Sequence, residues 1–159
     1  MQYFKKISLI AIIAFCFSCE TEGIYKGIED IKDAKWFLKQ TTNFTVEIKD
    51  ETLPYNVFYY VRNSLSYPYY NLYLKQDLTD AAGNPLNLPK LKELILFDPK
   101  TGKPLGDGLG DIFDHKIMVL QDFKFPKKGK YTLKLTQDMR QDPLLGIMSV
   151  GMSVENVKN

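Results

Sequence analysis

Cysteine is nearly absent: Cys16 and Cys19 are the two in 159 residues, and both stand within the first nineteen. Beyond Cys19 there is no thiol for a disulfide, a thiolate metal site or a nucleophile, so the rest of the chain must hold itself by packing alone. Histidine is scarcer still, with one residue. His115, in Asp114-His115-Lys116, is the one residue a Ser-His-Asp triad could use, and no Gly-x-Ser-x-Gly elbow supplies its serine. Zinc would need three or four Cys, His or carboxylate ligands. His115 therefore reads as an exposed residue near a strand start, and no metal or cofactor is expected. Long apolar runs are missing too. Ile7 to Phe17 is eleven residues with one serine in it, whereas crossing a bilayer as a helix takes about 20.

That short run has a different use. Lys5 and Lys6 precede it, and Phe17-Ser18-Cys19 closes it, a small residue directly before a cysteine. A basic start, an apolar core of this length and a small-residue cleavage point describe an export signal. The ending looks like a lipobox, which makes residues 1–18 a removable signal and Cys19 the acylated first residue of the mature chain. The usual lipobox has Leu three places before the cysteine, and here that place holds Cys16, which leaves cleavage before Cys16 as an alternative. Net charge then disappears as well. Two of the 21 basic residues leave with the signal, and the remaining 19 face 19 acidic ones. A neutral domain has no electrostatic footprint for DNA or RNA. It shows no polybasic patch either, so membrane attachment is expected to rest on the acyl chains.

The mature chain is rich in period-2 alternation. Phe44, Val46 and Ile48 share one face of a strand, as do Tyr55, Val57, Tyr59 and Val61. Residues 70–78, 91–97, 117–125, 131–136 and 148–154 extend the series, because successive side chains of a strand point to opposite faces. Turn chemistry punctuates it at 80–85, 98–102 and 126–129. No long helical pattern intervenes. The expected fold is all-β: an antiparallel two-sheet β-sandwich, jelly-roll or immunoglobulin-like, over residues 36–159. Residues 19–35 read as a lipid-anchored tether. Within it Ile24, Ile28 and Ile31 sit at helical spacing, which fits either a short helix lying on the domain or an irregular linker with docking isoleucines.

Candidate chemistry is sparse. Gly106 to Asp111 is glycine-rich and acidic, but lacks the Lys-Ser/Thr ending of a phosphate loop and the EF-hand pattern. Aromatic density is the strongest local feature: eight of 21 aromatics fall between Tyr55 and Tyr73. They occupy both faces of a strand pair, so one set can enter a core while the other packs under chain or forms a binding surface, since tyrosine suits interfaces. Arg62 ends one of these strands and residues 63–68 form the following connection. Loops at sandwich ends collect binding residues, and Arg and Tyr are enriched at hot spots. Arg62, Asn63, Tyr67 and Tyr60 are the candidate partner-binding residues. The competing reading has Arg62 tying down the loop through backbone carbonyls while stacking on Tyr60 or Tyr73. No catalytic residue is assigned, and no small-molecule substrate is expected.

The segment Tyr55-Asn-Val-Phe-Tyr-Tyr-Val-Arg-Asn63, followed by Tyr67-Pro-Tyr-Tyr-Asn-Leu-Tyr-Leu74, resembles the GldH family of gliding-motility lipoproteins of the Bacteroidetes. Tyr25, Trp36, Gly106 to Ile112, Phe125 to Thr132, Gln137 to Arg140 and Gly146 to Gly151 are similar as well. The resemblance covers nearly the whole mature chain, and its motifs are structural. It implies a non-enzymatic envelope component that works through protein partners of the gliding and secretion machinery. A lipid-anchored carbohydrate-binding module, using the tyrosine cluster, is the alternative from another class. Glu20, rather than Asp, follows Cys19, which favours the outer membrane over the inner. Glu20 and Glu22 are only a faint likeness to the acidic surface-export tag of Bacteroidetes lipoproteins, which favours the periplasmic face.

Overall fold

A computed structural model describes residues 23–157; the signal, Cys19 and the question of its acylation lie outside the described residues. Eleven strands follow in order: β1 (Gly23–Asp30), β2 (Lys35–Trp36), β3 (Thr42–Ile48), β4 (Tyr55–Ser64), β5 (Asn71–Asp80), β6 (Leu91–Ile95), β7 (Asp107–Leu109), β8 (Ile112–Phe123), β9 (Gly129–Gln137), β10 (Leu144–Leu145) and β11 (Ile147–Asn156). A single 3-10 turn, Lys32–Ala34, is the only helical element among the described residues. Five strands make one sheet in the order β1-β11-β4-β8-β7, and four make the other in the order β3-β9-β5-β6. The small pair β10-β2 forms a third, two-stranded sheet. Every pairing is antiparallel. The expected all-β sandwich is what the chain forms.

Alternation explains which side chains are inside. On β4, Tyr55, Val57, Tyr59 and Val61 are buried while Asn56, Phe58, Tyr60 and Arg62 face outward. Phe44, Val46 and Ile48 of β3, Leu72 and Leu74 of β5, Leu133 and Leu135 of β9, and Val150, Met152 and Val154 of β11 complete a single core. Burying each such side chain stabilises by about 1.5–3 kcal/mol relative to exposure. Polar atoms in the core are paired: Tyr59 Oη donates to Gln76 Oε1 at 2.6 Å, and Gln76 Nε2 donates to the Pro89 carbonyl at 2.6 Å. Trp36 is fully buried, its indole N–H donating to the Gln40 carbonyl at 2.9 Å. The turn at 98–102 is built as its composition predicts, with Asp98 Oδ1 accepting from the amides of Lys100 and Thr101 and Gly102 at positive φ.

Three expectations are corrected. Residues 23–30 are neither helix nor tether: they form β1, paired along its length with β11. The reason lies in β11, whose residues 149–154 are all buried. Such a strand needs hydrogen-bonded neighbours on both edges, and β4 supplies only one. Ile24 and Ile28 point outward, and Ile31 alone of the three enters the core. The strand expected from residue 117 begins at Ile112. His115, expected to be exposed, is 3% exposed on the inner side of that strand.

Connections sort to two ends of the sandwich. Gly23 pairs with Glu155, Tyr55 with Phe123, Ile48 with Gly129 and Asp80 with Tyr131. The start of β1 and the loops 49–54, 81–90 and 124–128 therefore share one end. The tip of the β7-β8 hairpin and the connections 65–70, 96–106 and 138–146 share the other.

Candidate functional site

The outer face of the five-stranded sheet carries the outward half of the aromatic segment. Arg62 and Asp114 are register partners on β4 and β8. Arg62 Nε and Nη2 donate to Asp114 Oδ1 and Oδ2 at 2.7 and 2.8 Å, a bidentate fork. The guanidinium hydrogen bond holds the Asp114 carboxyl below its usual range and raises Arg62 above its own. Both side chains are about half exposed, so the pair is screened by solvent and contributes on the order of 0–1 kcal/mol. Arg62 thus binds a carboxylate across the strand pair, where a carbonyl-bound loop tie was the expected structural alternative.

The neighbouring rings are covered by cations. Lys26 Nζ lies 4.6 Å from the centroid of the Tyr60 ring, and Lys116 Nζ lies 4.2 Å from that of Phe58. Lys116 also pairs with Glu155 at 2.7 Å, and Tyr60 Oη meets Ser153 Oγ at 3.3 Å. Lys26, Tyr60, Lys116, Ser153 and Glu155 line a depression of about 480 Å³ beside β1. A sugar needs an open ring face. Tyr55, Tyr59 and Tyr67 are in the core, and Tyr60 and Phe58 already lie under lysines; Tyr70 is more open, at 46%.

Two of the four candidate residues are buried rather than presented. Asn63 is 0% exposed and Tyr67 is 5% exposed. Tyr67 Oη donates to the Asn71 carbonyl at 2.8 Å, pinning the 65–70 connection from inside, and burial pushes its phenol upward. Asn63 Nδ2 donates to the Ser64 carbonyl at 2.9 Å, so its Oδ1 faces His115 Nε2, 2.8 Å away. Nε2 of the histidine therefore carries the proton of this bond, and burial lowers the ring's pKa against the opposing pull of Asp114 and Asp107. The structure brings Arg62 and Tyr60 together on the surface and turns Asn63 and Tyr67 inward.

The far end holds what the residue pattern did not single out. In the β7-β8 hairpin Leu109 is 94% exposed, and its register partner Ile112 is 40% exposed. Leu65 (50% exposed) is tied to this tip, its amide donating to the Asp111 carbonyl at 2.7 Å. Leu105 and Leu145 are exposed at the same end. The glycines of this segment shape it: a Cβ at Gly108 would collide with the Phe113 ring and the Ile112 carbonyl, and Gly110 turns the hairpin at φ +67°. Exposed leucines singly are ordinary; Leu109, Leu65, Leu105 and Leu145 together give this end of the sandwich more exposed apolar side chain than a scattered leucine does. Their signal in the sequence was present, as Leu109 between two glycines, but an isolated leucine in a polar loop reads equally as a buried plug. Among the described residues no group of three His, Cys, Asp or Glu side chains is placed to hold a metal ion.

Comparison with known proteins finds the same relatives from two directions. The family described as GldH lipoprotein matches residues 23–154. The gliding motility lipoprotein GldH homolog of Christiangramia forsetii is 30% identical over 160 residues, covering 96% of this chain and 95% of that protein. The gliding motility lipoprotein GldH of Flavobacterium johnsoniae is 30% identical over 158 residues, covering 94% of each.

Proposed function

This chain belongs to the GldH lipoprotein family, and on that premise we propose that it is a non-enzymatic component of the gliding machinery that works by holding a protein partner. Acylation of Cys19 anchors it, the outer membrane is the bilayer concerned, and the domain faces the periplasm. Partner binding takes place at the end of the sandwich away from the anchor.

One observation carries this reading: Leu109 stands 94% exposed at the tip of the β7-β8 hairpin, beside the exposed Ile112 and Leu65, at the end opposite Gly23. Burying a leucine from water gains about 1.5–3 kcal/mol, which is the size of a contribution that makes an interface residue count. Arg62 and Tyr60, on the adjoining sheet face, are rim contacts in this arrangement, because their charges and rings are already paired within the domain.

The test is a gliding host in which Leu109→Asp replaces the wild-type gene. The expected result is loss of spreading and of partner capture from detergent-solubilised membranes, with unchanged protein level and melting temperature. Normal spreading with Leu109→Asp would overturn the proposal.

A further inference from the structure

The end of the sandwich that carries Gly23 has a composition unlike the rest. Lys124, Lys127 and Lys128 stand in the connection between β8 and β9 and Lys130 at the start of β9, all four within seven residues and all exposed. They form one wall of a cleft of about 540 Å³ whose other wall is the β5-β6 turn. Asp80 is the carboxylate lining that cleft, and its oxygens already accept from the amides of Ala82 and Asn84 and from Asn84 Nδ2. None of the four lysines makes an ion pair among the described residues. Of the other acidic residues of this end, Glu47 is the register partner of Lys130 on β3 and Glu155 pairs with Lys116, while Asp50 and Glu51 on the β3-β4 loop and Asp122 at the end of β8 do not line the cleft. Four exposed lysines in seven residues, facing the one carboxylate of Asp80 in the cleft, therefore make a local basic patch.

Its position matters more than its charge. Cys19 lies four residues before Gly23, and four extended residues reach at most about 14 Å. An acyl chain on Cys19 therefore keeps this end, and not the Leu109 end, against the bilayer. Leu53, 45% exposed on the adjoining loop, adds an apolar contact on the same side.

We propose that Lys124, Lys127, Lys128 and Lys130 seat the domain on anionic phospholipid headgroups, making the Gly23 end a second membrane contact that fixes orientation and points the Leu109 tip away from the anchoring bilayer. The inference rests on the Cys19 anchor. Acyl chains alone leave a domain free to tumble on its leash; a basic face beside the leash selects one pose, since a lysine at an anionic surface favours the bound pose by about fivefold.

The experiment uses the full lipidated chain, purified from membranes and added to preformed vesicles of phosphatidylethanolamine alone or with one-third phosphatidylglycerol. Exposed amines are labelled with a membrane-impermeant reagent and read by mass spectrometry. With phosphatidylglycerol, labelling of Lys124, Lys127, Lys128 and Lys130 should fall about tenfold relative to Lys134, and return in high salt. Lys127→Glu with Lys128→Glu should remove the protection, while Lys100→Glu with Lys103→Glu at the other end should leave it intact; melting curves of both confirm folding. Equal labelling of a chain that is acylated and vesicle-bound overturns the proposal. So does equal protection by inorganic phosphate in detergent, which would make the cleft a site for free anions. A chain that carries no acyl group at Cys19 instead overturns the anchor, a separate result read from the intact mass.

Discussion

His115 Nε2 donates to Asn63 Oδ1 at 2.8 Å across β8 and β4, and both side chains are shut away from water. This bond pairs the donor of a buried ring with the acceptor of a buried amide. Asn63→Ala leaves the His115 N–H without an acceptor, which costs about 1–3 kcal/mol. The melting temperature should fall by roughly 2–6 °C for each kcal/mol. Scanning calorimetry of Asn63→Ala checks this, and an unchanged melting temperature would show that water reaches the site.

The same histidine makes stability depend on pH. Burial holds its folded pKa below the ordinary 6.5. The unfolded chain takes up the proton near that value, the folded chain only at lower pH. Stability from this source is complete above about pH 6.5, declines as pH falls from there towards the folded pKa, and is flat below it. The carboxylates of Asp114, Asp50, Asp80 and Asp98 have folded pKa values below 3.8, so they add their loss only on the acid side of that value. Urea midpoints measured between about pH 7.5 and 5 should decline in the wild type and much less in His115→Gln.

Arg62 and Asp114 should behave as a surface pair. Arg62→Ala and Asp114→Ala each cost less than about 1 kcal/mol, and the double mutant cycle should give a coupling of about 0.2–1 kcal/mol that shrinks in high salt. A coupling that salt leaves untouched would mark the pair as desolvated.

Leucines at opposite ends of the exposure scale should separate stability from function. Leu133→Ala removes a buried side chain from β9 and should cost about 2–5 kcal/mol. Leu109→Ala should stay within about 0.5 kcal/mol of wild type. Chemical unfolding of the two variants under one buffer gives the comparison.

Strand β1 is part of the sandwich, so its removal should be felt. A chain beginning at Lys32 exposes the open edge of β11 and should melt lower and aggregate, whereas a chain beginning at Gly23 should not. Light scattering with thermal melts distinguishes the two; equal behaviour would return residues 23–30 to the role of a tether.

Period-2 alternation was enough to find β3, β4, β5, β9 and β11, and to say that Tyr55, Val57, Tyr59 and Val61 share one face while Tyr60 and Arg62 take the other. This is local information, since the pleat alone decides which side chains share a face; which face is buried only the packed sheets decide. The membership of a known family was legible for the same reason, in distinct local motifs spread along the whole domain. β1 was not legible, because an edge strand with one outward face alternates weakly, and Ile24, Ile28 and Ile31 then mimic a helix. His115 was misplaced because a polar residue on the inner face looks like surface until its partner is known, and that partner, Asn63, is 52 residues away. The unlike ends of the molecule belong to the tertiary structure entirely. Lys127 and Leu109 stand at opposite poles because the twelve residues of β8 run between them, from the β7-β8 hairpin at one end to the crossover into β9 of the other sheet at the end that carries Gly23.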